Sequence, residues 1–97
     1  MNEEKLEELF QFLAGNFHQD IESPELALDE FLAETPQKAI EQTVVICEEF
    51  LNSELTNQEK EDIIQSSAEI YFPAIGHSPM GWLREVVEQL KSSLERN

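Results

Sequence analysis

The sequence predicts an all-α fold, a compact bundle of about five short antiparallel helices. Three observations predict it. Apolar residues recur with the 3.6-residue period of an amphipathic helix along most of the chain. Start signals punctuate those stretches: Ser23-Pro24-Glu25, Thr35-Pro36, Thr56-Asn57-Gln58-Glu59 and Ser78-Pro79. No segment alternates with period two, and no Asn-Gly or Asp-Gly hairpin turn occurs.

The elements follow in order. Leu6, Leu9, Phe10 and Leu13 share one helical face, and Glu3, Glu4, Glu7 and Glu8 crowd the first turns, where acids complement the helix dipole. Gly15-Asn16 is expected to end this helix. Ser23 caps the second helix with Pro24 in its first turn, and Leu28, Phe31 and Leu32 form its apolar side. Thr35-Pro36 is expected to open a longer third helix in the same way, carrying Ile40, Thr43, Val44, Cys47, Phe50 and Leu51 on its inner face. Thr56 and Glu59 form a capping box for a fourth helix with Ile63, Ile64 and Ser67. Tyr71 to His77 reads as a loop. Ser78-Pro79 starts the last helix, with Leu83, Val86, Val87, Leu90 and Leu94 on one face.

Ninety-seven residues, 40% of them apolar, suffice for one domain with one modest core, spanning 1–97. The charge is the most distinctive property. Twenty-one acids face six bases, a net charge of −15. Residues 1–59 hold 15 acids and two bases, Lys5 and Lys38; residues 60–97 hold six acids and four bases. Such an excess repels itself in the compact state, so it points to a partner rather than to folding. It repels nucleic acid and anionic membranes and attracts a strongly basic protein. The single Cys47 excludes an internal disulfide. The N-terminus lacks the basic and apolar regions of a signal peptide, and no stretch approaches the roughly 20 apolar residues of a membrane span. A cytoplasmic protein is expected.

Residues for chemistry are sparse. His18 and Asp20 sit two apart and would suit an acid–base pair, but neither a nucleophile nor a substrate handle accompanies them. Set between Phe17 and Ile21, they read instead as a buried polar pair that fixes a turn. His18 and His77 fall at no zinc-ligand spacing, and the acids lack the glycine-punctuated pattern of a calcium loop. Cys47 lies on an apolar helix face, where a thiol is usually inert. No glycine-rich phosphate loop is present. The sequence therefore calls for no catalytic residue, no metal and no cofactor.

Recognition fits better. Glu25, Asp29, Glu30 and Glu34 on the second helix, and Glu41, Glu48 and Glu49 on the third, make a candidate acidic binding face. Val45 should point outward among Glu41, Glu48 and Glu49. It reads either as an apolar interface anchor or as a lone exposed valine. Tyr71 and Phe72 usually would fold back to close a small core; one left exposed would be a candidate hot spot.

The run Leu9-Phe10-Gln11-Phe12-Leu13-Ala14-Gly15-Asn16-Phe17-His18-Gln19-Asp20 resembles the opening of the contact-dependent growth-inhibition immunity proteins, which typically read F-L-G-G-Y-F-H-Q-D-W. Their Ser-Pro-Glu helix start and A-L-x-x-F-L stretch are matched by Ser23-Pro24-Glu25 and Ala27 to Leu32. Tyr71, Pro73, Gly76-His77-Ser78 and Trp82-Leu83 match their C-terminal part. Ile21 stands where the family usually has Trp, and Glu69-Ile70 where it has Gly-Cys. The resemblance implies a cytoplasmic antidote that binds a cognate toxin C-terminal domain stoichiometrically, in many cases a nuclease that cuts tRNA. A nuclease carries a basic cleft for phosphates, which suits an acidic inhibitor. The resemblance also implies a scaffold role for Phe17, His18, Gln19, Asp20 and Trp82. Ile70-Tyr71-Phe72-Pro73 with Ser78-Pro79-Met80-Gly81 is similar to a shorter motif of colicin DNase immunity proteins, whose aromatic pair contacts the toxin. The alternative reading is an acidic DNA mimic or adaptor that binds several basic proteins.

Overall fold

The computed structural model describes residues 1–96, and every regular element among them is helical. α1 spans Glu3–Asn16, α2 Pro24–Glu34, α3 Gln37–Leu51, α4 Asn57–Ser67, α5 Phe72–Ile75 and α6 Pro79–Glu95. Five of these are the expected helices. The sixth, α5, is a single turn inside the stretch read as a loop. Pro73 presets φ in its first turn, and Gly76 at φ 70° ends it in the left-handed conformation that glycine adopts without a Cβ clash.

Side-chain caps set most of the helix starts. The Leu26 N–H donates to Ser23 Oγ at 3.1 Å and the Gly81 N–H to Ser78 Oγ at 3.0 Å. The α4 capping box closes both ways, Glu59 N–H to Thr56 Oγ1 and Thr56 N–H to Glu59 Oε1, each at 3.1 Å. One expected boundary differs. Thr35 does not cap α3: as the residue before a proline it is held extended, and it terminates α2. Pro36 then occupies the cap position, and its carbonyl accepts from Ala39 and Ile40. α1 ends at Asn16, within the expected Gly15-Asn16 stop, and the chain leaves the helix at Phe17, whose ring turns into the core.

The principal helix contacts all run through α1 or α6. Each of α2, α3 and α4 packs on both of them, α3 most extensively on α6. Leu9, Leu13, Phe17, Cys47, Phe50, Ile64, Leu83 and Leu90 are fully buried at the centre. Because α3 touches two helices, its buried arc is wider than the predicted stripe and also takes in Ile46. A run of edge-to-face aromatic contacts crosses the core: Phe31 to Phe12 at 5.0 Å, Phe12 to Phe17 at 5.7 Å, Phe17 to Trp82 at 4.8 Å and Trp82 to Phe72 at 5.6 Å. It ties α2, α1, the loop after α1, α6 and α5 together. No described helix is long and apolar enough to cross a membrane.

Burial, and secondarily the Glu48 carboxylate, push the Cys47 thiol up to about 12. The reactive thiolate is therefore scarce at neutral pH. An aromatic disulfide reagent should react with the folded protein more than about a hundredfold more slowly than with the denatured chain. Equal rates would mean that Cys47 is accessible.

Candidate functional site

An acidic protein is useful to a basic partner only if its carboxylates are free. Among the described residues, two ion pairs occur: Lys5 Nζ to Glu49 Oε2 and Lys91 Nζ to Glu48 Oε2, both at 2.7 Å. The hydrogen bond to Glu48 holds the Lys91 ammonium above its usual range. Lys60 is buried and spends its charge on the Leu51 carbonyl at 2.7 Å, capping the end of α3. Half of the chain's six cations are thus committed internally, and among the described residues Glu48 and Glu49 are the acids held in ion pairs. The field of the acids is left almost uncompensated.

The acids predicted as one face fall into three groups, because α2 and α3 pack on α1 and α6 rather than on each other. On α3, Val45 stands 47% exposed, with Glu41, Glu48 and Glu49 one turn away on either side. Glu48 and Glu49 are not free there; they fasten α3 to α6 and α1. On α2, Glu30 and Glu34 line a depression beyond the end of α1 with Asp20, Glu22 and Leu26. Glu25 and Asp29 face the other way, into a groove of about 600 Å³ between α2 and α6. Leu28, Trp82 and Val86 also line this groove, and α6 adds Glu85 to its acids. Ile75 and His77 border it from α5 and the loop that follows. Glu85 lies three residues after Trp82 on α6, a spacing that puts both on one face; that signal was available in the sequence.

Tyr71 and Phe72 part company. Tyr71 is 75% exposed, whereas Phe72 is 5% exposed and packs on Trp82. Phe72 is therefore corrected from a surface contact to a core residue that supports the groove from below. The reason is local: α5 starts at Phe72 and turns its ring toward α6.

The Phe17-His18-Gln19-Asp20 block also differs from expectation. Phe17 is buried, but the His18 and Asp20 side chains are exposed. His18 Nδ1 accepts the Asp20 N–H at 3.2 Å, and the Ile21 N–H returns to the His18 carbonyl at 3.2 Å. The loop is fastened mainly by its backbone. The Phe17 carbonyl accepts the Glu69 N–H at 2.7 Å, and Glu69 Oε2 accepts the Gln19 N–H at 2.9 Å. Glu69 lies 50 residues away in the chain, so no local pattern announces it. His18→Ala and Asp20→Ala should each stay within about 0.5 kcal/mol of the parent in urea unfolding, as surface changes usually do. Glu69→Ala should cost about 0.5–1.5 kcal/mol for the lost clasp. A loss of roughly 2 kcal/mol at His18 would contradict this account.

No group of three or more His, Cys, Asp or Glu side chains poised to hold a metal ion occurs among the described residues. Over residues 5–90 the chain matches the family model described as CdiI immunity protein. No curated protein matches it. No solved structure matches it either.

Proposed function

The chain belongs to the CdiI immunity protein family, whose members neutralise a cognate toxin of contact-dependent growth inhibition, and we propose that it does so in the cytoplasm as a stoichiometric inhibitor of a basic nuclease toxin domain, held by its acidic surface. The observation that carries this reading is the state of the charges. Of 21 acids, two are ion-paired within the described chain, while the net charge is −15. A surface kept acidic and unpaired costs folding stability, and a basic partner offsets that cost. A nuclease cleft that binds phosphates is such a partner.

The binding residues proposed are Glu25, Asp29, Glu30 and Glu34 on α2 and Glu41 with Val45 on α3, with Tyr71 as an exposed aromatic contact. Glu48 and Glu49 contribute through the field they share with these groups. Phe17, Gln19 and Trp82 act as scaffold.

The test uses the toxin domain of a cognate exported effector, to be sought in the neighbouring reading frames. Co-expression should rescue cells from it, and nuclease activity should fall to zero at one equivalent of protein. Weak binding to many unrelated basic proteins, with no rescue, would favour the adaptor reading instead.

A further inference from the structure

The groove between α2 and α6 combines features that a merely solvated acidic face lacks. Its apolar lining is Leu28, Val86 and Trp82, and its carboxylates come from two helices: Glu25 and Asp29 from α2, and Glu85 from α6. None of the three carboxylates has a cationic partner among the described residues. Trp82 is 5% exposed, yet its indole N–H donates to no protein acceptor among the described residues and is not sealed from solvent. Being open to solvent, that donor is able to exchange water for an acceptor on a bound segment.

The two demands differ in sign. The unpaired carboxylates attract a cation, and the indole N–H is able to donate to a carbonyl-type oxygen. A peptide segment bearing Arg or Lys offers both. Its aliphatic stem suits the apolar lining, its charged head the carboxylates, and its main-chain carbonyl the indole. A nucleic acid offers acceptors but no cation, and a lone metal ion offers no acceptor.

We infer that the groove between α2 and α6 receives an Arg- or Lys-bearing loop of the toxin domain, with a loop carbonyl on the Trp82 indole N–H and the basic side chain among Glu25, Asp29 and Glu85. This rests on the reading of the chain as a toxin-binding immunity protein. It goes further in making Trp82 a contact residue as well as a scaffold, and in bringing α6 into the interface.

The chain has one tryptophan, so an isotope-labelled sample gives one indole N–H signal. Addition of the unlabelled toxin domain should shift its proton resonance and slow its exchange with solvent, with the change complete at one equivalent. The variant E25Q/D29N/E85Q removes three surface charges and no apolar contact. It should melt at or above the parent and bind the toxin domain about 100-fold more weakly. If the toxin domain binds at one equivalent while the indole signal stays still and the triple variant binds like the parent, the groove proposal is overturned and the immunity reading stands. If the parent does not bind the toxin domain at all, both fall.

Discussion

Phe17→Ala should cost about 3–5 kcal/mol of stability, among the largest losses expected from a single change in the chain. Phe17 is fully buried at the junction of two edge-to-face contacts, with Phe12 at 5.7 Å and Trp82 at 4.8 Å. Truncation leaves a ring-sized cavity beneath the groove and frees the loop whose carbonyl clasps Glu69. Neighbouring rings cannot collapse into the gap without breaking their own contacts, so relaxation is limited. A domain of this size has about 5–15 kcal/mol in all, and the melting temperature should fall by something on the order of 20 °C. His18→Ala beside it should leave the melting curve nearly unchanged. The contrast separates the ring from the polar residues of the same motif. A Phe17→Ala protein that melts within a few degrees of the parent would show that the aromatic run does not hold the fold together.

The second large effect concerns binding, and it should dissociate from stability. Glu25→Lys and Glu41→Lys each reverse an exposed, unpaired charge, one on α2 and one on α3. Each relieves repulsion among neighbouring acids, which for Glu25 is offset by a cation placed in the first turn of α2, so the helical signal should hold and the melting temperature should stay within a few degrees of the parent. Against a basic cleft the same carboxylates are paired and partly desolvated. Losing one should cost about 2–5 kcal/mol, a factor of roughly 30 to 5,000 in Kd. Glu48→Lys is a poorer probe, because it also breaks the Lys91 pair; an exposed pair of that kind contributes about 0.2–1 kcal/mol to stability. Glu95→Lys, on an exposed position in the last turn of α6, should change neither binding nor rescue. If Glu95→Lys abolished rescue while Glu25→Lys and Glu41→Lys were tolerated, the interface would lie elsewhere on α6.

The helices were legible in the sequence because their signals are local. A 3.6-residue apolar period, a Ser-Pro start and a capping box act within one or two turns, and α1, α2, α3, α4 and α6 follow them. The misread boundary is a place where a neighbour decides. Thr35 looks like a cap, but the proline after it forces it extended. The one-turn α5 has no period to detect.

The candidate surface was legible as composition but not as geometry. The acids of α2 and α3 could be named, yet their division into separate groups follows from both helices packing on α1 and α6. Glu48 and Glu49 gave no sign of their ties to Lys91 and Lys5, which lie 43 and 44 residues away. Tyr71 and Phe72, adjacent and chemically alike, were separated by a single turn of helix.

The central claim is that unpaired acids capture a basic toxin domain by long-range attraction. Stopped-flow association with the cognate toxin domain, across salt concentrations, tests it most directly. The rate constant should be on the order of 10⁸ M⁻¹s⁻¹ or above at low salt and fall steeply toward physiological ionic strength, where screening shortens the reach of the charges to about 8 Å. A rate constant that stays flat over that range would contradict the claim.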